Sequence, residues 1–126
     1  MNITEFLQAR IAEDKEAAKR AAFGYGQAWT VEDPDPEDDW VCLYAGKQYL
    51  FGSEDVDIAD HAARFDPARI LRECAAKQRT LQRHGGYAGE LDCSPCFYDD
   101  EAHCRALREL ALPYYDHPDY DPAWAL

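Results

Sequence analysis

Apolar positions near the start of the chain recur at helical spacing. Ile3, Phe6, Leu7 and Ile11 fall on one stripe, which predicts a helix over residues 3–22. Asn2 followed by Glu5 has the form of a capping box with Asn in place of Ser or Thr. Glu16 and Arg20 add an i,i+4 pair, and Gly24 and Gly26 end the helix. The period then shortens. Residues 27–31, with Trp29 and Val31, read as a short strand. Trp40–Tyr44 and Gln48–Phe51 are rich in β-formers, and Ala45-Gly46-Lys47 between them reads as a hairpin turn. The Asp33-Pro34-Asp35-Pro36 stretch reads as a solvated loop.

Helical spacing returns at 55–84 with one interruption. Asp66-Pro67 is a cap followed by proline at the first helical position, so two helices are expected, over 55–64 and 67–84. Gly85-Gly86 stops the second. On it Ile70, Leu71, Cys74, Gln78 and Leu81 share an arc of about 100° by the helical period, with Arg69, Arg72, Arg79 and Arg83 on the other side. A last helix is expected over Glu101–Leu112, capped by Asp99 or Asp100 and ended by Pro113. The tail from Tyr114 to Leu126 is too apolar to be free, so Tyr114, Tyr120 and Trp124 are expected to dock on the helices. The pattern predicts an α+β fold: three or four helices, a small antiparallel sheet and a cysteine-rich loop. A length of 126 residues predicts a single domain over 1–126 with a modest core.

Charge changes this picture in one respect. The formal net charge of −12 argues against general affinity for nucleic acid or anionic membranes. The charge is segregated, however. Glu32, Asp33, Asp35, Glu37, Asp38 and Asp39 form an acidic block. Six of the 13 basic residues lie between Arg64 and Arg83, opposed there only by Asp66 and Glu73. The face of Arg69, Arg72, Arg79 and Arg83 is therefore a candidate partner-binding stripe, set against the plainer reading of a solvated face. The acidic block could mimic a nucleic-acid backbone, with a solvated loop as the default. No run of 18 apolar residues predicts a membrane span, and Met1–Glu5 lacks the basic and apolar stretches of a signal peptide. A cytoplasmic location is expected, in which five cysteines read as thiols and metal ligands rather than disulfides.

The candidate chemistry lies between His84 and Cys104. Cys93-Ser94-Pro95-Cys96 brings two thiols together on a turn stiffened by proline, and Cys104 follows at the expected start of the last helix, where the helix dipole favours a thiolate. His84 closes the preceding helix. The set His84, Cys93, Cys96 and Cys104 fits one tetrahedral structural zinc ion with no open position. Free thiols are the competing reading. A redox pair fits less well, because thioredoxin-like motifs place Cys-x-x-Cys between a strand and a helix. His84 is preferred as the fourth ligand; His103 would point elsewhere beside Cys104, and His117 could reach only if the tail folds back. Cys42 and Cys74 read as core residues. His117-Pro118-Asp119-Tyr120 reads as a turn with His117 bonded to backbone rather than a catalytic pair. No nucleophile triad or phosphate loop is present.

Two segments carry a resemblance: His61-Ala62-Ala63-Arg64-Phe65-Asp66-Pro67-Ala68-Arg69 and His117-Pro118-Asp119-Tyr120. With the cysteine loop and the run Leu107–Tyr114, the chain resembles a family of small uncharacterised proteins of actinobacteria, notably Streptomyces, and their phages. The resemblance is weakest between residues 24 and 55. It implies an actinobacterial or actinophage source, a His matching His84 and cysteines matching Cys93, Cys96 and Cys104, and it carries no activity. The expectation is a non-enzymatic accessory or interaction protein with a structural zinc site, whose partner is another protein, a host protein if the gene is phage-borne. The alternatives are a nucleic-acid-binding regulator using the arginine helix and a zinc-dependent hydrolase or nuclease.

Overall fold

The computed structural model describes residues 1–84 and 104–126. It has an α+β fold with four helices and a three-stranded antiparallel sheet among the described residues. The order is α1 (Ile3–Ala22), β1 (Trp29–Glu32), β2 (Val41–Ala45), β3 (Gln48–Ser53), α2 (Val56–Arg64), α3 (Pro67–His84) and α4 (Arg105–Ala111). Short 3₁₀ turns follow at Leu112–Tyr114 and Pro122–Trp124. The chain divides into two compact units, Asp14–Glu73 and Met1–Glu13 with Cys74–Leu126, so α1 and α3 each contribute to both.

In the unit Asp14–Glu73 the strands lie in the order β1-β2-β3. Val41, Cys42, Leu43 and Ala45 of the central strand are all buried, so β2 carries most of this core. The β2–β3 hairpin closes through Gly46, whose φ of 60° is left-handed and open to glycine at little cost. A register shift at Leu43/Tyr44 sets Leu43 opposite Phe51 and Tyr44 opposite Tyr49. Successive side chains alternate faces, so Cys42, Tyr44, Tyr49 and Gly52 share one side. Trp40 lies on that side against Gly52: a methyl there would sit 2.1 Å from its indole Nε1. Helix α2 touches all three strands and buries Ala59. It starts where the Asp55 carboxylate accepts from the N–H groups of Asp57 and Ile58.

The expected cap of α3 is present and has a second use. One Asp66 oxygen accepts from Arg69 N–H at 2.9 Å, and the other accepts from Trp29 N–H at 3.0 Å. The carboxylate thus starts α3 and ties β1 to it. The expected apolar arc of α3 needs one correction. Cys74 and Leu81 are buried, but Gln78 is exposed while its neighbour Lys77 is half-buried. Lys77 Nζ donates to the Tyr114 hydroxyl at 3.1 Å and lies 5.2 Å from the centre of that ring. A long side chain can bury its stem while its amine finds a partner, which simple periodicity does not anticipate.

In the other unit Ile3, Phe6, Leu7 and Ile11 of α1 are buried with Leu107, Ala111 and Trp124. The Asn2–Glu5 capping box is formed in both directions, at 3.0 and 2.8 Å. Phe6 is the hub for the tail. Its ring meets those of Tyr114, His117, Tyr120 and Trp124 with centroids 6.3, 5.6, 6.0 and 5.0 Å away. The tail therefore docks through the three aromatics expected of it. Arg108 fixes its end by donating to the carbonyls of Trp124 and Ala125.

The last helix differs from expectation at its start. Cys104 has φ −54° and ψ 123°, so it is the non-helical cap of α4 rather than a residue of its first turn. Residues 101–103 and the expected caps Asp99 and Asp100 lie outside the described residues. Pro113 falls in the 3₁₀ turn that follows α4.

Candidate metal centre

The end of α3 and the cap of α4 bring two of the four expected ligands together. His84 is the last residue of α3, one turn beyond the buried Leu81. Cys104 is buried, and Leu107 and Ala111 continue its side of α4 into the core. The Cys104 Sγ lies 3.4 Å from His84 Nδ1. Which atom donates depends on the imidazole tautomer. The other two expected ligands, Cys93 and Cys96, lie outside the described residues, as does His103. Among the described residues no group of three or more His, Cys, Asp or Glu is placed to hold a metal. Cys42 and Cys74 are buried thiols, as expected of core residues, and Cys74 Sγ contacts the Ile11 carbonyl at 3.8 Å.

The arginine stripe is not uniform. Arg69 is half-buried: its Nε donates to Glu73 at 2.9 Å and its guanidinium lies 4.4 Å from the centre of the Phe65 ring. Arg72, Arg79 and Arg83 are exposed.

A family of unknown function, DUF6221, matches residues 1–126. The chain belongs to the DUF6221 family. No curated protein and no solved structure matches it. The match includes residues 24–55, where the sequence resemblance is weakest, so the sheet is part of the DUF6221 chain as much as the helices are.

A second polar constellation in this DUF6221 chain is centred on a residue that the sequence reading passed over. Arg10 is buried, with its side chain 8% exposed. Its Nη2 donates to Glu13 at 2.8 Å, and its Nη1 lies 2.9 Å from His117 Nδ1 and 3.9 Å from Asp119 Oδ2. The backbone N–H of Asp119 also donates to His117 Nδ1, at 3.0 Å. Both neighbours are donors, so Nδ1 is the acceptor and the ring proton belongs on Nε2. His117 is thus bonded to backbone within its own turn, as expected, and anchors that turn to α1. The Arg10 Nε and the Thr4 hydroxyl are buried without a hydrogen-bond partner among the described residues. The signal for Arg10 was present: it falls on the stripe of Ile3, Phe6, Leu7 and Ile11, where a cation must find partners. With its Nδ1 engaged this way, His117 is a positioning group for the tail.

Proposed function

We propose that the chain is a non-enzymatic accessory protein that acts by binding another protein, with its fold pinned by one structural zinc ion held by His84, Cys93, Cys96 and Cys104. The observation that carries the metal is the 3.4 Å approach of Cys104 Sγ to His84 Nδ1. Zinc bonds of about 2.1 Å to nitrogen and about 2.3 Å to sulfur, at a tetrahedral angle, set two such ligand atoms about 3.6 Å apart. The pair therefore matches one edge of the expected tetrahedron. Cys93-x-x-Cys96, in the segment joining the two, supplies the opposite edge by its spacing. Four protein ligands leave no position for water or substrate, so the ion serves the fold and the function falls to the surface.

The source implied by the sequence resemblance, an actinobacterial cytoplasm or an actinophage gene, belongs to the same reading. In the phage case the partner is a host protein. A nucleic-acid role for exposed Arg72, Arg79 and Arg83 has less support, given the net charge of −12 and the engagement of Arg69 by Glu73.

Elemental mass spectrometry on reduced, chelator-free protein tests the metal. One zinc per chain is expected, with loss of the ion on Cys93→Ser or Cys96→Ser. Metal-free protein that keeps its fold would remove the structural zinc. A chelator that abolishes a hydrolytic turnover without unfolding the chain would favour the hydrolase alternative.

A further inference from the structure

Helix α1 ends on an exposed aromatic turn that neither the sheet nor the proposed metal uses. Phe23, just past the helix, is 84% exposed, and Tyr25 is 51% exposed. The turn that carries them is hydrogen-bonded. Phe23 N–H donates to the Arg20 carbonyl at 3.3 Å, and the N–H groups of Tyr25 and Gly26 both donate to the Ala22 carbonyl, at 3.1 and 3.0 Å. Gly24 and Gly26 hold φ of 78° and 109°, the left-handed range that favours glycine. A lone exposed ring needs no explanation. Here Phe23 lines an open cleft of about 260 Å³ with Glu16, Lys19 and Arg20. Lys19 and Arg20 precede it by four and three residues, so the helical repeat sets a cation on each side of it. Lys15 lies one turn before Lys19. The pair expected between Glu16 and Arg20 is not formed, and among the described residues no acid makes an ion pair with Lys15, Lys19 or Arg20. The helix C-terminus offsets about half a charge. Even with Glu16 included, three cations leave this end positive on a chain of net charge −12.

We infer that this end of α1 docks a segment of a partner protein in which a large apolar side chain lies beside carboxylates. Charge complementarity selects the carboxylates, and the exposed ring of Phe23 selects their apolar neighbour. The cleft is smaller and more open than a small-molecule pocket, which encloses its ligand in about 300–1,000 Å³. It suits one side chain delivered on a larger partner. A nucleic acid fits less well, because its phosphates repeat along the backbone while these cations are confined to the last two turns of one helix. An anionic membrane meets the repulsion of the whole chain over a broad surface. A short acidic segment meets mainly the local cations, since charges beyond about 8 Å are largely screened at physiological salt. Lys19 and Arg20 then pair with carboxylates on either side of the incoming apolar group, Arg20 through a planar fork. Every residue of this face belongs to the unit Asp14–Glu73. The inference rests on the interaction-protein reading above and names that partner's chemistry. Its variants leave the zinc ligands untouched. Loss of binding with the ion in place therefore concerns this face, and loss of the ion with binding intact concerns the metal site.

The test is calorimetric titration of the zinc-replete full chain with an acetylated, amidated decapeptide carrying one Trp between two pairs of Glu. The same peptide with Gln, and with Lys, in place of Glu completes the set. Wild type is expected to bind the glutamate peptide at least about tenfold more tightly than the glutamine peptide, through charge-assisted hydrogen bonds. General attraction cannot produce this result, because the net charge of −12 repels that peptide. Phe23→Ala should weaken binding by about tenfold, the scale of a ring lost from a contact. The pair Lys19→Glu/Arg20→Glu should abolish binding of the glutamate peptide and bind the lysine peptide about tenfold more tightly than wild type does. That pair replaces exposed side chains, so it remains decisive if Phe23→Ala disturbs the turn. No binding of the glutamate peptide by wild type would overturn the inference. So would binding that ignores the charge reversal, or self-association on sedimentation that Phe23→Ala abolishes, which would give this face to a second copy of the chain.

Discussion

Arg10 and Phe6 hold the aromatic tail to α1 through different physics, and a substitution can separate them. Phe6 supplies area: four rings close on it, so Phe6→Ala removes a buried aromatic and leaves a cavity. Arg10 supplies direction, since its two terminal nitrogens reach Glu13 and His117 at once. Arg10→Ala is expected to cost about 2–3 kcal/mol, from a lost charged hydrogen bond and the packing of its stem. Arg10→Lys should recover little of this, because an ammonium cannot span both acceptors as a fork does. His117→Ala should leave the buried guanidinium short of one acceptor. A double-mutant cycle of Arg10→Ala with His117→Ala, read by urea denaturation, should therefore return a coupling of about 1 kcal/mol. Strict additivity would mean the contact contributes nothing. The presence of a cation on the apolar stripe of α1 was legible in the sequence. Its partner was not, because His117 lies 107 residues away and only the docked tail brings it there.

At the scale of elements, the ends that local chemistry decides are the ones the sequence disclosed. Asp66-Pro67 starts α3 and Asn2 with Glu5 starts α1, because each cap is made by side chains within one turn. Asp66 also carries a tertiary bond to Trp29 that no local rule could reveal. Asp66→Ala is accordingly expected to cost about 2–3 kcal/mol, since two backbone N–H groups lose their acceptor. Asp66→Asn keeps one oxygen and should cost about 1 kcal/mol. Equal losses for the two variants in thermal unfolding would show that the second oxygen does not matter. The start of α4 departs from the sequence expectation for the converse reason. Cys104 carries an extended ψ of 123° with no side-chain cap bond, and its backbone follows its buried position rather than a local signal. Gln78 and Lys77 exchanged roles because burial of an alkyl stem depends on Tyr114, a partner from the tail. The seating of Trp40 on Gly52 was hidden too, since it depends on strand register. For the metal centre, clustering in sequence pointed to His84 and Cys104, and the fold brings that pair together.

For the whole molecule, the two compact units differ in what closes them. The unit Asp14–Glu73 has its own core in β2 and Ala59. The other unit joins the end of α3 to the start of α4 at His84 and Cys104, where the proposed ion would sit. Stability in a folded chain is local, and segments released from a tether open more often than those held by side-chain packing. If zinc is that tether, chelation should act first on α4 and the last turn of α3. Amide hydrogen exchange in these segments is then expected to quicken by about tenfold or more, while the amides of Val41–Ala45 in β2 change by less than about threefold. Fraying of α3 should halt near Leu81 and Cys74, whose buried side chains hold the helix without the metal. The alternative is informative in the same experiment. α1 and α3 are continuous helices that contribute to both units, so exchange in β2 rising in step with α4 would mean that one cooperative unfolding joins them and the ion supports the entire chain. Unchanged exchange in α4 after verified chelation would leave the contact between His84 and Cys104 as a hydrogen bond alone, and the proposed tether would fall.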